Sequence, residues 1–546
     1  MRKFFKSKSV PKKTETNLLV ESDKINIRKT SYLGKKGYTI VKSSLPKEEY
    51  EFLKKDLFMT PVSFGTPAFG DTQETAFPIY RENTNKIYIP RFYGIERYGY
   101  PESSEIDQGM NIDVPFVKEL RDYQTNVVNI YVESVSKPIL GDISHSTNAH
   151  NGGGGIIQLP CGRGKTILSL KIISEMKKKT LIIVHKEFLM NQWIERIQEF
   201  LPSAKIGKIQ AAICDVEGKD IVIGMVQTLY SRDYPQELYA QFGLTIVDEV
   251  HRISSEQFSK TLFRTITPFM LGISATVKRK DGLEKVLYAF IGKMVYTEER
   301  DASDIVTVRA IQYISKDSEF NEVEQDYRGN TKYSTIISKL CAYCPRSDFA
   351  IRVLADLVAE QPTSQIMILA HNRSLLTYLY DEIVARNIAT VGYYVGGMKE
   401  MALKDTESKQ IVVATYSMAA EALDIKTLST LVMVTPKTDI VQSVGRILRM
   451  KHENPIIVDI IDSHDVFKNQ WRQRKAFYRK SNYRIYTVDS PDYTNMTTSF
   501  TDKPCKWKKA FEPKVSNGKN EEVADDEDND SGGIGKCMIN MSMFGK

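Results

Sequence analysis

From residue 117 to 299, short apolar runs alternate with stretches whose apolar residues recur at helical spacing. The runs IIQL, TLIIVH, DIVIGMV, LTIVDEV and MLGISAT are each followed by such a stretch. This alternation predicts βαβ units and a parallel sheet. A second series follows: a helix over 349–360, then QIMILAH, TVGYYV, QIVVAT, TLVMVT and PIIVDII. Runs that are apolar throughout predict sheets covered on both faces. No repeat of fixed short period is present. The expected fold class is α/β: two tandem lobes with parallel sheets, a small N-terminal α+β domain and a disordered acidic C-terminal tail.

The domain limits follow changes in composition. Residues 1–35 read as a basic flexible arm, 36–112 as a small accessory domain, and 113–300 and 301–485 as the two lobes. Residues 486–546 read as a basic, then acidic, low-complexity tail. Within the accessory domain, IYIPRFYGIERYGY mixes Arg91 and Arg97 with Tyr88, Phe92, Tyr93 and Tyr98. That mixture suits a single-strand platform, or a small β-rich core with surface arginines, which is the preferred reading.

With 546 residues the chain exceeds what one core supports, so several units are expected. No apolar run approaches the roughly 20 residues that cross a bilayer, and MRKFFKSKSVPKK lacks the apolar core of a secretory signal. A soluble intracellular protein without a membrane partner is expected. The cysteines, Cys161, Cys214, Cys341, Cys344, Cys505 and Cys537, are too scattered for a disulfide framework. Cys341 and Cys344 have CxxC spacing but lack two further ligands, so a buried pair on a helix is preferred to zinc. The net charge is +7, and residues 521–530 hold seven acids, which leaves +14 on the rest of the chain. A cationic body suits a polyanionic partner.

The stretch NGGGGIIQLPCGRGKT carries two glycine-rich segments. A phosphate loop needs a strand, a tight turn and a helix N-terminus in that order, so that free N–H groups face the anion. PCGRGKT meets this requirement: Gly162 and Gly164 form the turn, Lys165 reaches the β/γ phosphates and Thr166 ligates Mg²⁺. The strict pattern has glycine where this chain has Leu159. The run 152–155 lies at the other end of the same strand and reads as the end of a flexible insert starting near Pro138. In LTIVDEVHRI, Asp248 and Glu249 end an apolar strand, as a metal-holding and a water-polarising carboxylate would. In QSVGRILR, Arg446 and Arg449 stand at i and i+3 on one helix face, able to stabilise charge on a transferring phosphate.

With these elements in order, the chain resembles the superfamily 2 helicases over residues 115–480. Further stretches fit that motif set: LRDYQ, IVHKEFLMNQW, MVQTL, GISAT, ILAHNR and VATYSMAAEALDI. LPCGRGKT, SATVKRKDGL and IIDSHDVFKNQWRQRKAFYR look most like the XPB branch, closest to the transcript-release DNA helicases of poxviruses and other large DNA viruses. The resemblance implies RecA-like lobes with ATP between them. It implies base reading by Gln124, further ATP contacts from Glu421, Asp424 and Gln442, and coupling through His251, Ser274 and Thr276. Nucleic-acid contacts are implied for Lys186, Gln227, Thr228, Asn372, Arg373 and Thr415. Two positions depart from the branch: Lys280 replaces a glutamate after SAT, and Ala422 replaces a glycine in EALD.

The expectation is a monomeric ATP- and Mg²⁺-dependent DNA helicase or translocase acting in viral transcription elongation, termination or transcript release. Its partners would be duplex or forked DNA, or DNA carrying nascent RNA, together with RNA polymerase or transcription factors. A viral origin would place it in the virion and the cytoplasmic virus factory. The alternatives are remodelling of branched DNA in repair or recombination, and a non-catalytic nucleic-acid scaffold. The helix over 467–480, with Phe467, Trp471 and Tyr478 among six basic residues, is expected to pack its rings on the second lobe rather than stack bases.

Overall fold

The structure, a computed structural model, describes residues 19–60, 76–136, 152–160, 162–250, 256–275, 277, 282–298, 306–325, 329, 331–421, 425–448, 450, 452–494 and 506–513. The expected acidic tail, Lys280, Ala422, Cys161, Cys505 and Cys537 lie outside these residues.

The first large sheet has the strand order Ile213–Asp215, Ile206–Gln210, Ile221–Met225, Thr180–Val184, Leu244–Asp248, Phe269–Ser274, Gly153–Gln158, Met294–Thr297. All its pairings are parallel except that between the first two strands. Apolar residues on its two faces enter two separate core clusters, as the wholly apolar runs require. The second sheet runs Val391–Tyr394, Ile411–Thr415, Gln365–Ala370, Leu428–Met433, Ile456–Asp462, Thr307–Tyr313, Arg484–Asp489, Lys508–Phe511. Only its last pairing is antiparallel. Lys404 of the second lobe pairs with Glu195 of the first at 3.3 Å, and Phe188 packs against core clusters of both.

Two boundaries differ from those read in the sequence. The helix Glu21–Thr30 and the strand Tyr32–Gly34 lie in the stretch read as a flexible arm. The helix buries a single apolar side chain, Ile27, which its charged pattern conceals. At the other end, Lys508–Phe511 joins the second sheet beyond residue 485, and the buried Trp507 anchors it against Tyr493.

The N-terminal unit is a five-stranded sheet with the helices Glu21–Thr30, Lys47–Asp56 and Arg91–Tyr98. Its aromatics form a core, as preferred. Tyr38 and Tyr98 are buried, and Glu49 accepts from Arg97 and Tyr98. Arg91 is not on the surface: it is buried and donates to the carbonyls of Thr267 and Pro268 at 3.0 and 2.8 Å, fastening this unit to the first lobe.

The glycine run is strand, not the end of an insert. Gly153, Gly154 and Gly155 pair with Phe269, Met270 and Leu271. A Cβ on Gly154 would lie 2.2 Å from the carbonyl oxygen of Ile291, and one on Gly155 would lie 2.1 Å from Val295 Cγ2. These glycines exist because two neighbouring segments approach the strand closely. Cys341 and Cys344 are likewise not a buried pair on one helix. Cys341 is buried in Tyr333–Ala342, while Cys344 is exposed at the start of Cys344–Glu360.

Candidate nucleotide site

The strand Gly153–Gln158 leads into Leu159, whose amide donates to the carbonyl of Ser274 at 3.0 Å and whose side chain is buried. The chain then turns through Gly162 and Gly164, with φ of 84° and 77°, a region in which glycine carries no steric penalty. Gly164 caps the helix Lys165–Met176, so the first-turn amides of that helix point at the loop. Lys165 and Thr166 are its first two residues, both half-buried.

Ser274 ends the strand next to this one, and Asp248 ends the strand beyond that. Asp248 is paired with Ile273, and Ser274 with Gln158, so the loop and both side chains share the carboxyl edge of the sheet. That is where open parallel sheets bind ligands. Asp248 is buried, and its Oδ2 accepts from Trp193 Nε1 at 2.9 Å. Burial and the neighbouring Glu249 push its carboxyl above the usual carboxylate range, while the Trp193 N–H and Lys165 act against the rise. Glu249 has a left-handed backbone, φ 50°, which non-glycine residues seldom adopt away from functional turns.

Gln124, buried in Asp122–Ser136, donates to the Arg163 carbonyl at 3.3 Å and accepts from the Arg121 amide at 3.0 Å. Tyr123 donates to the same Arg163 carbonyl at 3.2 Å. The Arg163 guanidinium lies 5.0 Å from the Tyr123 ring centre and pairs with Glu298. The element expected to read the base is therefore tied directly to the glycine turn.

In the second lobe the helix Val441–Arg446 has only six residues, with Arg446 buried and Gln442 half-buried. It ends at Arg446, three residues before Arg449. Arg449, His251, Thr276 and Asp424 lie outside the described residues, as does the side chain of Glu421 at the end of Tyr416–Glu421.

The residues present fit a magnesium–nucleotide complex. Two adjacent carboxylates with one nearby lysine are short of positive charge, which a divalent cation supplies. No group of three His, Cys, Asp or Glu side chains that could hold a metal occurs among the described residues.

Residues 117–279 match the family described as "Type III restriction enzyme, res subunit". A protein of Acanthamoeba polyphaga mimivirus, named an ATP-dependent RNA helicase, is 34% identical over 461 residues, spanning 82% of this chain and 85% of that one. The chain belongs to the viral ATP-dependent helicases of superfamily 2. An African swine fever virus helicase is 28% identical over 358 residues, 60% of this chain and 69% of the relative. A Sulfurisphaera tokodaii protein named a DNA 3'-5' translocase is 32% identical over 213 residues, 38% of this chain and 43% of the relative. The helicase is thus an ATP-hydrolysing enzyme that acts on nucleic acid, and no helix among its described residues is long and apolar enough to cross a membrane.

The residues expected on nucleic acid are placed unequally. Lys186 caps Glu187–Phe200, and the exposed Gln227 donates to the His185 carbonyl at 2.9 Å. Thr228 is buried and its hydroxyl accepts from the Ala211 amide at 3.0 Å. Asn372 caps Arg373–Ala385 through its side chain, Arg373 is exposed and donates to the Gly396 carbonyl, and Thr415 meets Ser417 at 3.2 Å. On Asp465–Lys480, Phe467 and Tyr478 are buried and Trp471 packs against the lobe core, as expected. Arg474 is buried against Asp459 and leaves the basic face.

The sequence context of Trp193 and Arg163 marks neither as a site residue. Trp193 sits in the apolar stripe Leu189, Met190, Trp193, Ile197 and Phe200, which reads as core. Arg163 occupies the variable position of the glycine turn.

Proposed function

We propose that the helicase is a DNA translocase that works in viral transcription elongation, termination or transcript release, fuelled by ATP with Mg²⁺. The observation that supports the ATP chemistry is that Lys165, Asp248 and Glu249 all lie at the carboxyl edge of one parallel sheet, in or just after two strands separated by Phe269–Ser274. In this reading Lys165 and the first-turn amides hold the β/γ phosphates. Thr166 and Asp248 hold Mg²⁺, which when bound neutralises phosphate charge. Glu249 orients the attacking water and accepts its proton. Arg446, with Arg449, stabilises negative charge from the second lobe as the lobes close. Gln124 reads the base, Glu421, Asp424 and Gln442 line the nucleotide, and Ser274 with His251 and Thr276 couples the site to strand movement.

The DNA preference is supported by the relative named a DNA 3'-5' translocase. A second reading, action on RNA, is favoured by the name of the mimivirus relative. The transcription role, with RNA polymerase or transcription factors as partners in the virus factory, rests on the transcript-release resemblance. One experiment tests these together: ATP hydrolysis and strand displacement by wild type and Lys165→Met on single-strand, duplex, forked and RNA substrates. Hydrolysis stimulated most by DNA, lost at least about 100-fold in the variant and weakened steeply by salt, is expected. Stimulation by RNA alone establishes the second reading.

A further inference from the structure

Trp193 projects from the middle of Glu187–Phe200 into the core beneath the nucleotide edge and is almost fully buried. Every other side chain on that stripe is purely apolar. Its indole N–H meets Asp248 Oδ2 at 2.9 Å, a full-strength hydrogen bond between two buried groups. An indole only donates, so the bond requires an acceptor at that point and fixes how the carboxylate is turned. A carboxylate offers about four lone-pair positions, so this donor leaves it free to ligate.

The choice of donor matters. An Arg or Lys here would neutralise Asp248 and repel a cation arriving from the other side. A neutral N–H orients the carboxylate while leaving its charge for the cation. We propose that Trp193 is the positioning residue of the metal-holding carboxylate: it presets Asp248 so that the cation–nucleotide complex meets a ligand already in place. The proposal rests on Asp248 being that ligand.

The test uses the full chain and Mn²⁺ with ADP, free Mn²⁺ being counted by electron paramagnetic resonance. Trp193→Phe keeps the ring and removes only the N–H. Mn²⁺ affinity in the presence of ADP should fall roughly 10-fold, the usual effect of removing a group that orients a metal ligand. Metal-free ADP affinity should stay unchanged, and the Mg²⁺ concentration for half-maximal ATPase should rise by a similar factor. Asp248→Asn separates the two ideas. If it binds Mn²⁺ as wild type does, the assignment of Asp248 fails. If it loses the metal while Trp193→Phe binds at wild-type strength, the positioning role of Trp193 is overturned.

A second measurement avoids altering the residue. In Trp471→Phe/Trp507→Phe, Trp193 is the sole tryptophan, and Mn²⁺–ADP should quench and shift its emission at the metal's own binding midpoint. Emission indifferent to a metal that Asp248 demonstrably binds overturns the proposal as well.

Discussion

Lys165 Nζ donates to the carbonyl of Leu159 at 3.4 Å, so the lysine proposed to hold phosphate rests on the residue that replaces the first glycine of the strict motif. The replacement is possible because Leu159 still follows the strand. Its amide bonds to the Ser274 carbonyl, and its side chain fills the core cluster behind the loop. The positive φ angles fall at Gly162 and Gly164 instead.

Restoring the motif should therefore harm the protein. Leu159→Gly removes a fully buried side chain and adds backbone freedom to the unfolded chain. It should cost about 3–5 kcal/mol, read from urea unfolding, without raising the turnover of the folded fraction. A variant as stable as wild type would mean that this side chain packs little.

Glu249→Gln should bind ATP with near wild-type affinity and turn over roughly 100-fold more slowly or worse, since an amide cannot accept the water's proton. Its unfolding midpoint should stay close to wild type, because the side-chain volume and the φ of 50° are kept. Equilibrium nucleotide binding beside single-turnover hydrolysis checks both halves.

These sites were legible to different degrees, for physical reasons. LTIVDEV announces its strand and ends on the two carboxylates because a strand buried on both faces must be apolar throughout. Ile206–Gln210 and Thr307–Tyr313 were not foreseen. IGKIQ and TVRAIQY interleave Lys, Arg and Gln with apolar residues, and the strands are buried only at alternate or scattered positions. The bond from Trp193 to Asp248 spans 55 residues, and no spacing rule reaches that far. The glycines at 153–155 resemble a loop in sequence because a close approach from Ile291 and Val295 is invisible until the strands are paired. One further signal is legible in the sequence: a lone aspartate inside the apolar run PIIVDII demands a buried partner.

Gly154→Ala should test that close approach. The new methyl would meet a backbone carbonyl, which cannot swing aside as a side chain can, and Phe92 Cζ lies 2.5 Å from the same point. A loss of about 1–3 kcal/mol is expected. Because Phe92 belongs to the N-terminal unit and Ile291 to the first lobe, limited proteolysis should release the N-terminal unit sooner than in wild type. A Gly154→Ala protein that unfolds and digests like wild type would show that the seam is loose.

The partner of the lone aspartate is Arg474, whose Nε and Nη2 meet the two Asp459 oxygens at 2.7 and 2.8 Å with both side chains buried. Nη1 also holds the Lys437 carbonyl at 2.9 Å, in the loop between Leu428–Met433 and the helix that ends at Arg446. Arg474→Met alone strands a buried carboxylate and should cost about 3–5 kcal/mol. Adding Asp459→Leu removes that stranded charge, so the double variant should recover most of the stability in urea unfolding. It does not restore the anchor on the Lys437 carbonyl. The recovered protein should therefore remain slower in nucleic-acid-stimulated ATP hydrolysis, because the loop leading into the helix that carries Arg446 has lost a fixed point. Full recovery of both stability and hydrolysis would show that the ion pair serves the lobe core alone.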